Sequence, residues 1–363
     1  MKNLLIITSY ISGHGGMERI INKITNIIES SPLFTDVKIS VVSLSDGVYL
    51  NKKFYSKADR STDWIECSSK KIIDGKFSIT KLNKLYHVYH IVKVLKKEKF
   101  SHVISTGPGL CYLLSKVRWA LKQDFTIFGW PHFSSSSGNG EFKFFGYSDR
   151  NLCISKGIMH ELDILLPQSK NILFPNPVDH NEIKIQHDKP DGVNFCYIGR
   201  FIFEGQKRIK DLLDACLLSK TNFTLHLIGD GPDYKLIVDY IDKFKLKNKV
   251  VIHRGWHDDP WRILEKIDAL ILTSAYEGLP TVIGEALSRG IPCISSDCPT
   301  GPSDFINDPI NGKLFKIGAT LVLSKILDDI VNKELNFDPI ETQKSIEYFY
   351  IDNFVNRLQS ILS

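Results

Sequence analysis

Glu277 and Glu285 stand eight positions apart in Tyr276–Asp297 (YEGLPTVIGEALSRGIPCISSD), and their surroundings suit the grip of one long, hydroxylated and anionic ligand. Pro280 and Thr281 open a helical pattern of Val282, Ile283, Ala286 and Leu287 that closes at Gly290. Pro fits a first helical position because its missing N–H needs no partner there. Glu277 then falls in the loop before the helix and Glu285 one turn inside it, about 10 Å away at ~1.5 Å rise per residue. That is too far for a shared proton but suits two hydroxylated parts of one ligand. Between them, Gly278, Leu279, Pro280 and Thr281 form a helix start, whose unpaired N–H groups attract anions. A carboxylate, an anion cradle and a second carboxylate, in that order, match a sugar, a diphosphate and a ribose.

Further candidates lie upstream. Arg200 follows a strand and Lys207 sits at the next helix start, so two cations converge on one strand–helix junction, an arrangement suited to a diphosphate. Asp230, in Leu227–Pro232 (LIGDGP), ends another strand as either a turn residue or a site residue, and His253 and Trp256 either flank a base or simply pack. Gly13, Gly15 and Gly16 follow the first strand and let backbone approach a ligand closely. The string around them is not GxGxxG, and no acidic residue closes a second strand at the distance a dinucleotide fingerprint requires. His132, in Trp130–Ser134 (WPHFS), reads either as a contact to a sugar hydroxyl or as a structural histidine. No Asp-x-Asp occurs and no His/Asp/Glu cluster has metal spacing, so no metal is expected. The charge of a departing diphosphate then falls to Arg200, Lys207 and the helix-start amides.

The elements that must position these residues read as strand–helix alternation, twice over. Strands are expected near Leu4–Thr8, Val37–Ser43, His102–Ser105, Phe125–Gly129, Asn151–Ile154 and Asn171–Phe174. A second series falls near Val193–Ile198, Thr224–Ile228, Val250–His253, Ala269–Thr273 and Pro292–Ser295. Apolar strands alternating with amphipathic helices, one of them near Trp261–Lys266, indicate α/β domains with parallel, doubly wound sheets. The expected division is 1–175, 176–340 and a last helical stretch 341–363, with Glu341–Leu362 one helix carrying exposed Tyr348, Phe349 and Tyr350 and packing back toward the N-terminal domain. The Pro-containing stretch 174–192 is the expected hinge.

Composition narrows the class. With 363 residues, 43% hydrophobic and 24% charged, the chain suits two soluble domains, and seven scattered cysteines without a CxxC pair suit a reduced, cytoplasmic compartment. Neither a secretory signal nor a ~20-residue apolar span is expected. Net charge is +5, yet residues 52–122 hold 16 Lys/Arg against 5 Asp/Glu. Helical spacing over 81–100 turns Leu82, Leu85, Val88, Ile91, Val92 and Leu95 inward and most lysines outward. The outward face is either simply solvated or docks on anionic lipid or a phosphorylated acceptor. Nucleic acid is not an expected partner, since no binding motif accompanies the charge.

Gly199-Arg200, Lys207, Leu227–Pro232 and Glu277–Glu285 (EGLPTVIGE) together resemble the retaining glycosyltransferases of the large GT-B family, over nearly the whole chain. The resemblance implies two facing Rossmann-like domains with a cleft between them, the first for acceptor and the second for nucleotide sugar, without a catalytic metal. It implies Glu277 on the donor hexose, Glu285 on the ribose, Arg200 with Lys207 on the diphosphate, Gly15 and Gly16 along the donor cleft and His132 at the reacting sugar. The strings WPHFS, Gly199–Asp214 (GRFIFEGQKRIKDLLD) and Gly290–Cys298 (GIPCISSDC) resemble the subgroup that adds galactose from UDP-galactose to a glucose of the lipopolysaccharide core. A hexosyl or N-acetylhexosaminyl transferase for another surface glycan is the nearest alternative. A nicotinamide oxidoreductase lacks its fingerprint here, and a non-catalytic glycan-binding module has no use for a diphosphate cradle. The resemblance places the protein at the inner face of the cytoplasmic membrane, acting on a glycolipid acceptor.

Overall fold

A computed structural model describes residues 2–8, 16–44, 70–72, 80–135, 141–183, 192–257 and 259–363. The chain forms two compact units, Met1–Pro177 with Asp352–Ser363, and Val178–Ile351. Each is built around a wholly parallel sheet.

In unit 1 the strands are β1 (Lys2–Thr8), β2 (Val37–Ser43), β3 (Lys70–Ile72), β4 (His102–Ser105), β5 (Thr126–Gly129), β6 (Arg150–Cys153) and β7 (Asn171–Leu173), in the spatial order β3-β2-β1-β4-β5-β6-β7. Helices α1 (Gly16–Ser30), α2 (Thr80–Lys97), α3 (Pro108–Leu121) and α4 (Lys156–Leu165) connect them. Leu4, Leu5, Ile6 and Ile7 are all fully buried, as a central strand covered on both faces requires. Unit 2 repeats the plan with β8 (Asn194–Ile198), β9 (Thr224–Gly229), β10 (Val250–Arg254), β11 (Ala269–Leu272), β12 (Cys293–Ser296) and β13 (Gly312–Phe315), ordered β10-β9-β8-β11-β12-β13. Its helices are α5 (Ile209–Leu218), α6 (Tyr234–Lys243), α7 (Thr281–Leu287), α8 (Pro302–Phe305), α9 (Thr320–Val331) and α10 (Pro339–Lys344), and α11 (Ile351–Leu362) follows. In both sheets the order reverses between the first and fourth strands, and such a switch point opens a crevice at the strands' carboxyl ends.

Several expectations need correction. The short edge strands β3 and β13 escape the periodicity, because three or four residues with one or two lysines carry too little apolar signal. The helix expected near Trp261–Lys266 is only a 3-10 turn at Pro260–Arg262, started by Asp259 accepting from Trp261 N. The single last helix is instead α10, a 3-10 turn at Glu347–Phe349 and α11. Tyr350 leaves the helical path to bridge Val178, and its hydroxyl donates to the Gln343 carbonyl. Phe349 lies 4.3 Å from the Phe305 ring, so Phe349 and Tyr350 are buried while Tyr348 is exposed. On α2, Ile91 and Leu95 face the core, but Leu85 is 66% exposed. Six residues before Ile91 is about 120° off the buried stripe, which places Leu85 on the outer side with Tyr89. All of the basic stretch 52–84 lies outside the described side chains, and residues 184–191 of the hinge lie outside the described residues.

Gly229 ends β9 at φ +142°, where a β-carbon would collide with the Gly199 carbonyl oxygen of the neighbouring strand end. Gly229→Ala should therefore destabilise unit 2 by about 2 kcal/mol, since the obstacle is backbone and cannot rotate away. Thermal unfolding should show its transition roughly 4–8 °C lower; an unshifted transition would contradict this account.

Candidate functional site

The switch point of unit 2 brings the loop after β8 against the loop after β11. Ala275 N donates to Gln206 O at 2.8 Å and Gln206 Nε2 to Tyr276 O at 3.3 Å. The Thr273 hydroxyl lies 3.0 and 2.9 Å from the Lys207 and Arg208 carbonyl oxygens. Arg208, with φ 49°, is the cap of α5 and pairs with Asp211 at 2.6 Å. This stitched turn presents Lys207 just ahead of the helix.

Lys207 Nζ donates to Glu277 Oε1 at 2.5 Å, and the Ser274 hydroxyl donates to the same oxygen at 2.7 Å. Glu277 is 8% exposed, and its carbonyl accepts from the Thr300 hydroxyl. A carboxylate so buried is expensive unless paired and hydrogen-bonded, and here it is both. Among the described residues every side-chain bond to Glu277 uses Oε1. Tyr197 is fully buried, and its hydroxyl donates to the Arg200 carbonyl at 2.8 Å. Burial, with the Glu277 charge adding to it, raises the Tyr197 pKa well above the usual phenol range and keeps it a donor. Arg200 itself is exposed, two residues beyond the end of β8.

Gly278, Leu279 and Pro280 are buried; Pro280 (φ −72°, ψ 95°) stays extended as the cap, so α7 begins at Thr281 rather than at the proline. Glu285 lies half-buried on α7 and accepts from Trp261 Nε1 at 3.0 Å through Oε2, while Arg289 lies over the Trp261 ring at 5.1 Å. Asp230 accepts from Gly231 N and pairs with Arg254 at 3.2 Å, which makes it the anchor of its turn. His253 Nε2 lies 3.0 Å from His226 Nδ1, whose other nitrogen is 3.2 Å from Asn194 Oδ1, whereas Trp256 is half exposed.

Unit 1 holds the remaining candidates. His132 is buried just beyond β5, edge-on to Trp130 with ring centroids 4.3 Å apart. Burial pushes its pKa down to about 3, so it is neutral at working pH. Among the described residues neither His132 Nε2 nor Trp130 Nε1 has a partner. Glu161 holds the loop that follows, accepting from the Ser134 hydroxyl at 2.5 Å and Ser135 N at 2.7 Å. Gly16 is the first, exposed residue of α1, with nothing within 4 Å of a built β-carbon; Gly15 lies outside the described residues. Among the described residues no group of three or more His, Cys, Asp or Glu could hold a metal ion.

Lys207, Glu277, Arg200 and Glu285 are thus all placed in unit 2, the first two in direct contact. Sequence reasoning missed Ser274, Thr300, Tyr197 and Trp261. Ser274 stands only three residues before Glu277, a legible signal, whereas Thr300 and Trp261 arrive from loops 23 and 24 positions away.

Comparison with known proteins adds a common pattern. The sequence pattern described as "Glycosyl transferases group 1" matches residues 179–348. The chain is 31% identical over 366 residues to the lipopolysaccharide 1,6-galactosyltransferase of Salmonella typhimurium, covering 97% of each. Against the enzyme of the same name from Escherichia coli K12 the identity is 29% over 360 residues, 97% of this chain and 95% of the other. The solved apo form of the lipopolysaccharide outer core galactosyltransferase WaaB superposes with TM-score 0.84 at 30% identity over 99% of both chains. Anabaena HepE in complex with UDP shares the fold, with TM-score 0.77 at 16% identity over 100% of this chain and 99% of that one.

Lys207→Met strands a buried carboxylate and should cost about 2 kcal/mol or more, while adding Glu277→Gln should restore much of it. A double-mutant cycle by thermal unfolding checks this, and purely additive losses would contradict the pairing. His226 is held at a pKa of about 4 against an ordinary 6.5, by burial and then by His253. The unfolded chain thus takes up its proton first, so the contribution of this group to stability is present above about pH 6.5 and lost as pH falls toward 4. Denaturant titrations from pH 7 to pH 4 should show a shallower decline for His226→Gln than for the native chain.

Proposed function

Because the chain belongs to the glycosyl transferases group 1 family, we propose that it is a retaining, UDP-sugar-dependent hexosyltransferase. In this reading it moves galactose from UDP-galactose onto a glucose of the lipopolysaccharide core and forms an α-linkage. The observation that carries the reading is the buried Lys207–Glu277 pair at the switch point of unit 2. Unit 2 takes the nucleotide sugar: Lys207 and Arg200 meet the diphosphate, aided by the amides of Gly278, Leu279 and Thr281 at the start of α7 beside Pro280. Glu277 orients the hexose, and Glu285, aimed by Trp261, takes the ribose hydroxyls. Unit 1 takes the acceptor, and neutral His132 offers it a hydrogen-bonding ring nitrogen.

Retention by double displacement would require a nucleophilic carboxylate. Glu277 is a poor one, because its charge is already met by Lys207 and its Oε1 by Ser274 as well. Front-face attack is the more economical course. The acceptor oxygen bonds the anomeric carbon as the bond to the diphosphate breaks on the same face, and a departing phosphate oxygen takes the acceptor's proton. Lys207 and Arg200 stabilise the charge that develops on UDP without a metal. The working place is the inner face of the cytoplasmic membrane, reached through the basic side of unit 1.

UDP release tests this with UDP-galactose, UDP-glucose and UDP-N-acetylglucosamine, each with and without lipopolysaccharide truncated at the core glucose, in chelator. Acceptor-dependent release from UDP-galactose alone is expected; release from a different donor alone overturns the galactose assignment. Glu277→Ala should cost at least about 100-fold in turnover, the scale of a lost preorganised transition-state contact, with UDP affinity nearly unchanged. Undiminished turnover would remove Glu277 from the mechanism.

A further inference from the structure

Helices α2 and α3 lie side by side on one face of the unit 1 sheet. Ile91 and Leu95 of the first share a core cluster with Leu110, Leu114 and Val117 of the second, and Gln123 Nε2 donates to the Leu95 carbonyl at 2.7 Å. Their outward faces therefore form one surface. On α3 it presents Tyr112, Lys116 and Trp119, which share a face at i, i+4 and i+7, and Trp119 is 82% exposed. On α2 it presents Leu85, Tyr89 and Lys93, with Leu85 66% and Tyr89 61% exposed. Lys116 Nζ stands 5.4 Å from the Tyr112 ring and 5.9 Å from that of Tyr147, itself part-exposed. A shallow groove beside the indole is lined by Ser115, Arg118, Trp119, Ala120, Lys122 and Gln123.

Charge is one-sided across this surface. Residues 93–122 hold seven Lys/Arg, of which Arg118 is paired with Asp149 at 2.5 Å, against the single Glu98, whose carboxylate is taken by Lys38 at 2.6 Å. Large aromatic and aliphatic side chains this exposed cost solvation in water, and lysines set among them keep a second copy of the same face away by repulsion. Exposed Trp and Tyr interleaved with Lys match the boundary between anionic headgroups and acyl chains. Among the described residues no helix is long and apolar enough to cross a membrane, so such a face would lie on the bilayer.

We infer that the α2–α3 face is an interfacial docking surface for an anionic lipid bilayer, with Trp119, Leu85 and Tyr89 entering the headgroup layer and the lysines meeting lipid phosphates. This deepens the proposed membrane-side role by naming the face and adding an apolar anchor to the electrostatic one. It also gives reach: a transferase held on the surface that carries a lipid-linked acceptor meets that acceptor in two dimensions.

The test uses the full chain and vesicles of phosphatidylethanolamine with phosphatidylglycerol, against phosphatidylcholine alone, at physiological salt. Flotation should show binding to the anionic vesicles only. Trp119→Ser should weaken it about tenfold, the scale of returning part of a large aromatic surface to water, and each of Lys96→Gln and Lys97→Gln about fivefold. Lipids brominated in the acyl chain should quench tryptophan fluorescence in the native chain and much less in Trp119→Phe. Because Trp119 is exposed, both variants should keep the native unfolding temperature and UDP affinity. Absence of vesicle binding, or binding with equal quenching in Trp119→Phe, overturns the inference, as does concentration-dependent dimerisation abolished by Trp119→Ser. None of these readouts requires sugar transfer, so failure here leaves the transferase reading standing, and failure of that reading leaves the lipid result intact.

Discussion

One carboxylate oxygen organises the loops at the carboxyl end of the unit 2 sheet. Glu277 Oε1 receives Lys207 and Ser274 inside a loop that is almost wholly removed from water. Without both donors, the charge would be too costly to keep at that depth. With them, the loop after β11 is locked to the turn after β8, and the backbone bond from Ala275 to Gln206 and the side-chain bonds of Gln206 and Thr273 to backbone carbonyls complete the seam. A pair built this way is preorganised, because its reorganisation cost is met during folding and not during the reaction.

The architecture explains why that seam exists where it does. β8 and β11 are neighbours in the sheet although 70 residues of chain lie between them, and the intervening β9 and β10 are wound outward on the other side of β8. Their carboxyl ends therefore open side by side with no crossover connection passing between them. Close backbone packing serves the same end, since Gly229 brings the end of β9 against the Gly199 carbonyl just before Arg200. Unit 1 repeats this winding, and just beyond its β5 lies a neutral, buried histidine packed on a tryptophan, suited to hydrogen bonding and not to holding charge.

Much of this was legible in the sequence, for definable reasons. Buried parallel strands such as Leu4–Thr8 and Ala269–Thr273 are continuous apolar runs, and the two-fold alternation with helices follows from them. Arg200, Lys207, Glu277 and Glu285 were marked out by strand ends and a helix start. What local pattern could not supply was pairing across the switch point. The contact of Lys207 with Glu277 spans 70 positions, so the two read as separate ligand contacts and not as partners. Trp261 was hidden by a wrong helix, its indole reaching Glu285 from a 3-10 turn. The amphipathic pattern of α2 failed at Leu85 because an apolar residue was assumed to face inward, whereas it is exposed. The break before α11 was set by tertiary contacts of Phe349 and Tyr350 that no local signal carries.

A co-crystal with a slow donor, UDP-2-deoxy-2-fluoro-galactose, would show which side chains hold each part of the nucleotide sugar. The diphosphate is expected on Lys207 and Arg200, the ribose on Glu285 and the hexose against Glu277, with the Ser274 bond to Glu277 intact. A nucleotide bound away from the β8–β11 switch point, or a diphosphate that touches neither cation, would contradict it.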